Sequence, residues 1–189
     1  MYNSDYQAFN LDENTRRSWY SPEALLIELK EGMTFVDVGC GDGFFSLLAA
    51  KKVGPNGRVY AVDIDAARIE ILQKKANAVG LKNIVVAIGR AEDTVFCEEC
   101  ADIVFYSMVL HDFEDPVQVL RNAKLMLHQN GRVINLDWKK TKTDFGPPID
   151  IRFSEQQVID MLQSVGFCTE ASEAGSYHYI IQGIPKHTL

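Results

Sequence analysis

Residues 34–63 read TFVDVGCGDGFFSLLAAKKVGPNGRVYAVD, and this stretch decides the fold. Thr34–Val38 is apolar apart from Thr34 and Asp37, as a strand buried on both faces requires. Gly39, Gly41 and Gly43 follow at alternate positions, where a backbone without side chains can turn tightly. A helix is expected over Phe44–Val53, with Lys51 and Lys52 in its last turn and Gly54-Pro55 as its stop. Arg58–Asp63 is a second strand. Strand, glycine loop, helix and strand make one parallel crossover unit.

The alternation continues outward. A helix over 66–79 puts Ile69, Leu72, Ala76 and Val79 on one face, capped by Asp65 and ended by Gly80. Strands are expected at 84–88 and 102–107, a helix at 116–127 and a strand at 131–137. Residues 139–153 form a polar loop with proline and glycine. Ser154 and Gln157 then give a capping-box signal for a helix that stops at Gly166. Two strands near 167–173 and 177–184, joined by Ala174-Gly175-Ser176, suit an antiparallel hairpin. Upstream, Ser21 caps a short helix with Pro22 at its first position. The pattern predicts an α/β domain with a doubly wound seven-stranded sheet, mostly parallel, closed by an antiparallel C-terminal hairpin strand. It spans 1–189, with an N-terminal segment at 1–31 and the core at 32–189.

The chain has 189 residues, 47% of them hydrophobic, which suits one domain at about 150 residues each. Its 26 acidic and 19 basic side chains leave a formal charge of −7. That disfavours a nucleic-acid partner held by phosphates and a polybasic membrane anchor. No apolar run reaches the ~18 residues of a membrane span, and the first residues carry no targeting signature. Four cysteines do not make a disulfide scaffold, so the expected setting is reducing and cytoplasmic. Cys97 and Cys100 form a lone C-x-x-C, one pair short of a closed zinc site, and read as ordinary loop cysteines.

Ligands of open α/β sheets bind beyond the carboxyl ends of the strands. Asp63 ends the second strand, 20 residues after Gly43, where a carboxylate can accept the two hydroxyls of a ribose. The loop lacks the Gly-Lys-Ser/Thr of a phosphate-binding loop and is G-x-G-x-G rather than G-x-G-x-x-G. Asp37 and Asp42 flank it, which disfavours a pyrophosphate and favours a cationic ligand. S-adenosylmethionine, with a ribose, an ammonium and a sulfonium but no phosphate, fits these features. A nicotinamide-dependent (NAD) oxidoreductase is the weaker alternative, and a non-catalytic S-adenosylmethionine-binding subunit another.

The sequence resembles the class I S-adenosylmethionine-dependent methyltransferases, and most of all their small ubiquinone/menaquinone-methyltransferase-like branch. VDVGCGDG at 36–43, VYAVDID at 59–65, GRAE at 89–92, DIVFYSMVLH at 102–111 and LHQNGRV at 127–133 carry the resemblance, in order and on the expected strand ends. It implies a Rossmann-like fold with S-adenosylmethionine as cofactor, S-adenosylhomocysteine as product and no metal. It also implies roles by position. Gly39, Cys40, Gly41, Asp42 and Gly43 would cradle the methionine part, with Asp37 near its ammonium. Asp63 would bind the ribose and Ile64 would pack on adenine. Ala91 and Glu92 would edge the adenine, and Ser107 and Met108 would pass beneath the sulfonium. Arg68 and Arg90 depart from the family's usual residues. Arg90 has no acceptor for the adenine amino group, so either Glu92 takes that contact or Arg90 stacks or points away.

His111, past the fourth strand, reads as a general base or substrate-orienting group, or else as a surface or capping histidine before Asp112. Asp137 and Trp138 end the fifth strand beside the same cleft and are candidates for the acceptor pocket. Tyr20, with Trp19, is read as a lid over the cofactor, against the alternative of a staple for the Ser21 helix. With no inserted substrate domain, a small-molecule acceptor is expected; a homodimer is left open.

Overall fold

The computed structural model describes residues 12–186. Seven strands form one sheet: β1 (Thr34–Val38), β2 (Arg58–Asp63), β3 (Ile84–Ile88), β4 (Ala101–Ser107), β5 (Leu127–Trp138), β6 (Phe167–Ala174) and β7 (His178–Pro185). The helices are α1 (Glu13–Trp19), α2 (Pro22–Leu25), α3 (Phe44–Val53), α4 (Ala66–Ala78), α5 (Pro116–Met126) and α6 (Glu155–Ser164). Strand order is β3-β2-β1-β4-β5-β7-β6. The first five strands are parallel, and β7 runs antiparallel between β5 and β6. The winding reverses between β1 and β4, so the crevice for ligands opens there.

Alternation along the strands divides the core between the two faces. On one face Val36, Val104, Tyr106 and Val133 pack with Leu120 and Ala123 of α5 and Val158 and Leu162 of α6. On the other, Phe35, Phe105, Ile134 and Leu136 pack with Phe45, Ala49 and Val53 of α3 and with Tyr20.

The structure departs from the sequence pattern at a few points. α1 carries little apolar signal and buries no residue; Asp12 caps it by accepting from the Thr15 amide at 3.0 Å. α4 ends at Ala78, so Val79 leaves the apolar face and is 57% exposed. β5 begins at Leu127, not at 131, because Leu127 pairs with Ala101 before the register shifts. Gly131 lies in that stretch, where a Cβ would stand 2.6 Å from the Ala101 carbonyl oxygen. Cys97 and Cys100, read as separate loop cysteines, are joined in a disulfide, their Cα atoms 6.0 Å apart.

The loop between β5 and α6 is organised by a buried arginine that the sequence does not single out. Arg152 is 2% exposed and donates to the carbonyl oxygens of Pro147 (2.8 Å), Lys139 (3.2 Å), Thr141 (3.0 Å) and Phe145 (3.1 Å) and to the Thr143 hydroxyl (2.7 Å). Its guanidinium also lies 5.1 Å from the Trp138 ring. Five fixed donors suit such a set of acceptors, which a lysine could not satisfy in one plane. Arg152→Ala leaves these buried acceptors unpaired, and we expect a loss of about 3 kcal/mol in chemical denaturation. Limited trypsinolysis should cut at Lys139, Lys140 and Lys142 at least tenfold faster in the variant.

Candidate active site

The glycine loop rises from the end of β1 and is tied to β2. The amides of Gly39 and Cys40 both donate to the Val62 carbonyl, at 2.8 and 3.0 Å. Gly39 has φ +70°, and a Cβ there would meet Val109 at 2.5 Å, so only glycine fits. Gly41 has φ +55°, and the space beside it is open apart from Arg68 Nη1 at 3.4 Å. Gly43, also left-handed, is the N-cap of α3.

Asp63 closes this loop. Its Oδ2 accepts from the Gly41 amide at 2.8 Å and its Oδ1 from the Asp65 amide at 2.9 Å. Each oxygen keeps a lone pair for a further donor. Ile64 follows with 54% of its surface exposed, and Ile88 at the end of β3 with 61%. Apolar groups displayed at two adjacent strand ends offer a surface for a flat ring.

The charge pattern of the loop differs from that expected. No Lys or Arg lies nearby in sequence, yet Lys75 of α4 pairs with the Asp42 carboxylate at 2.5 Å. The carboxylate left inside is Asp37, 2% exposed, which accepts from the Ser46 hydroxyl at 2.5 Å. Burial raises the Asp37 pKa to about 6; the Ser46 bond opposes this and the Asp63 charge adds to it. Cys40 is buried beside the same carboxylates. Burial and those charges push its thiol well up, so it carries no thiolate chemistry.

At the adenine-side turn, Ala91 is buried and Asn122 of α5 donates to the carbonyls of Ala91 (3.0 Å) and Glu92 (2.6 Å). Glu92 Oε1 accepts from the amides of Glu114 (3.0 Å) and Asp115 (3.3 Å), so this carboxylate braces the loop before α5. Arg90 turns to Glu114 at 2.8 Å. At the end of β4, Met108 has φ +56°, a strained conformation for a methionine. Beside it the Ser107 hydroxyl is buried with no partner among the described residues.

His111 is not on the surface. Its side chain is 1% exposed, with Nδ1 2.9 Å from Asp137 Oδ1 and Nε2 3.7 Å from Asp112. Burial works against the imidazolium, but the Asp137 charge and hydrogen bond, with Asp112, outweigh it and hold the pKa above its ordinary value. Asp137 also accepts from the Trp138 amide at 2.8 Å. Asp137 and Trp138 are neighbours on a strand, so they point to opposite faces and do not line one wall.

Trp138, Trp19 and Tyr20 meet on the face away from His111. Trp19 is edge-on to Trp138 at 5.2 Å, and Tyr20 stacks on Phe45 at 6.3 Å. Sequence reasoning missed His178, which lies against Trp138 at 4.3 Å and whose position in a hairpin gave no signal. A cleft of about 270 Å3 lies farther along, lined by Tyr20, Ala24, Glu28, Ile180 and Gln182, away from the glycine loop. Among the described residues no group of three or more His, Cys, Asp or Glu is placed to hold a metal. Nor is any helix long and apolar enough to cross a membrane.

The arrangement fits a nucleoside-bearing ligand. The loop is open at Gly41, a carboxylate with spare lone pairs stands opposite, two apolar strand ends are displayed, and the Ser107 hydroxyl lacks a partner. Asp37 adds a test of its own. A carboxylate whose pKa is raised destabilises the fold above that pKa and ceases to do so when protonated. Asp37→Asn should therefore stabilise the protein at pH 8, by about 3 kcal/mol from the size of the shift, and the gain should shrink to about 0.5 kcal/mol at pH 4. Urea denaturation at the two pH values reads this directly.

A methyltransferase domain family matches residues 29–174. A demethylmenaquinone methyltransferase from Bacillus cytotoxicus is 26% identical over 121 residues, 64% of this chain and 51% of that protein. One from Listeria monocytogenes is 26% identical over 119 residues, covering 63% and 50%. The chain thus matches about half the length of these relatives. The crystal structure of a SAM-dependent methyltransferase from Aquifex aeolicus superposes with TM-score 0.85 at 31% identity, covering 91% of this chain and 93% of that one. A Pyrococcus horikoshii protein shares the fold at TM-score 0.75 and 21% identity, covering 96% and 95%. With the family model matching residues 29–174, most of its length, the chain belongs to the methyltransferase-domain family.

Proposed function

We propose that the protein transfers the methyl group of S-adenosylmethionine to a small organic acceptor. The observation that carries this reading is the pairing of Asp63 with the open glycine loop, across the crevice from the bare Ser107 hydroxyl. The quinone named for the curated relatives supports a small acceptor, although the chain matches only half of those proteins.

When bound, S-adenosylmethionine supplies a methyl group on a sulfonium, an electrophile that a nucleophile can attack directly. The chain's own residues do the rest. The loop backbone from Gly39 to Gly43, whose Gly39, Cys40, Gly41 and Gly43 amides are already bonded within the protein, would cradle the amino-acid end beside the Asp37 carboxylate, and Asp63 would accept from the ribose. Ile64 would cover one adenine face, while Ala91 and the Glu92 backbone would edge it. Ser107 and Met108, at the end of β4, would lie beneath the reacting centre. Tyr20 and Trp138 would exclude water from it. Orientation of this kind contributes up to about 7–11 kcal/mol to such reactions.

Calorimetric titration should show binding of S-adenosylmethionine and S-adenosylhomocysteine and none of NAD. Asp63→Ala should weaken S-adenosylhomocysteine by roughly 2–4 kcal/mol, because bonds to a charged acceptor are lost and the Gly41 amide is released. Unchanged affinity in a folded variant would place the ribose elsewhere.

His111 is the proton acceptor in this reading, with Asp137 fixing its tautomer. A base must be neutral, so kcat/KM should rise with pH through an inflection above that of free histidine. Asp137→Asn removes what raises the pKa and should move the inflection to lower pH. His111→Ala should lower turnover by about 10²–10⁴ with S-adenosylhomocysteine affinity unchanged. The burial of His111 favours a second reading, in which the pair only braces the end of β5. A raised histidine pKa stabilises the fold below the unfolded value, and that contribution fades as pH rises through the folded one. In this case the variant keeps its rate and loses that slope in stability.

A further inference from the structure

The face opposite His111 carries a buried histidine, His178, with no part in the reaction so far. His178, in β7, is fully buried, and neither of its ring nitrogens has a hydrogen-bond partner among the described residues. Buried polar groups are nearly always paired, so a bare imidazole calls for a ligand or a reason. Its surroundings are aromatic, with Trp138 at 4.3 Å and Trp19 and Tyr20 each at 5.4 Å. Burial lowers its pKa to about 3, with Arg152, Arg16 and Lys139 acting in the same direction. The ring is therefore neutral and can offer one donor and one acceptor.

Trp19 sits in this group as a flat ring in a slot. It is stacked on Phe145 at 5.3 Å and 11°, and edge-on to Trp138 and Tyr177 at 5.2 and 6.0 Å. The helix that brings it, α1, buries no residue of its own. Beyond the Trp19 ring, α1 meets its surroundings through Arg16 and Arg17 over Phe44, the Arg17–Glu23 ion pair at 2.7 Å and the Trp19 carbonyl against Gly175, contacts that an outward swing must break. The slot also lies where the chemistry needs it. His178 is in register with Trp138, and Ser107 with Leu136, two residues back along β5 and on the same face. Tyr20 spans from His178 to Phe45, in the first turn after the glycine loop.

We propose that His178 is a positioning and specificity residue for the methyl acceptor, and that the acceptor's flat ring takes the seat now filled by Trp19. This rests on the methyl-transfer reading with His111 in its bracing role at the end of β5, because a ring seated on the face opposite His111 cannot pass it a proton. The ring must be unsaturated, to stack as Trp19 does, and must carry a hydroxyl or carbonyl for a His178 nitrogen. It carries no positive charge, because Arg152, Arg16 and Lys139 stand close by. Entry requires α1 to swing out with Trp19, since His178 is otherwise sealed.

The test titrates 1-naphthol, and its saturated counterpart decahydro-1-naphthol, into protein saturated with S-adenosylhomocysteine. Wild-type protein should bind 1-naphthol at least tenfold more tightly than the saturated compound. His178→Phe keeps the aromatic volume and removes both nitrogens. It should fold with an undiminished thermal midpoint, bind S-adenosylhomocysteine as before and bind 1-naphthol about tenfold more weakly. Trp19→Ala empties the seat and should bind 1-naphthol as tightly as wild type or more so. In 15N-labelled wild-type protein, the His178 ring nitrogens should shift on addition of 1-naphthol, a readout that needs no variant. Absence of 1-naphthol binding, equal affinity in His178→Phe, or its loss in Trp19→Ala would overturn the proposal. Failure of S-adenosylhomocysteine to bind wild-type protein would instead overturn the methyl-transfer reading.

Discussion

One hydrogen bond, from the Gly41 amide to the Asp63 carboxylate, joins the two strand ends between which the ligand crevice forms. Without it the loop after β1 would keep its bonds to Val62 and the Asp42–Lys75 pair but lose the one that fixes Gly41, the middle of three left-handed glycines. The same carboxylate takes the Asp65 amide, and Asp65 in turn caps α4. Loop, strand end and helix start are thus set by one side chain with two oxygens. A carboxylate fixed on its protein side presents its remaining lone pairs in a fixed direction, which is what preorganised recognition of a ribose needs.

Much of this was legible in sequence because the physics is local. β-branched runs, glycines at alternate positions and caps such as Asp65 and Ser154 act within a few residues. The capping box at Ser154 and Gln157 is present as the spacing predicts. The candidate site was harder, because its partners meet across long sequence separations. Lys75 neutralises Asp42 from 33 residues away, and Asp137 holds His111 from 26. Arg152 is one charge in a polar loop until the fold gathers five acceptors around it. His178 gave no signal at all, since a histidine in a hairpin is unremarkable until its nitrogens prove bare.

The pleat of β5 separates two kinds of work. Asp137 faces α5 and α6 and meets His111, while Trp138 faces α1 and meets His178 and Trp19. The bracing His111–Asp137 pair and the ring-holding candidate therefore lie on opposite sides of the sheet, one residue apart in sequence. A register slip of one residue in β5 would exchange them, and the Asp137–Tyr179 and Trp138–His178 pairings with β7 guard against that.

The position of β7 has a consequence for how the molecule is made. Its residues, 178–185, are among the last of the described chain to be synthesised, yet the strand lies inside the sheet, between β5 and β6. Until they emerge from the ribosome, β5 is an open edge with a row of unpaired amides and carbonyls, and β6 has no neighbour. An exposed apolar edge of this kind is a template for pairing with another nascent chain. The delay between synthesis of β5 and β7, some forty residues, is the window in which a chaperone has most to protect.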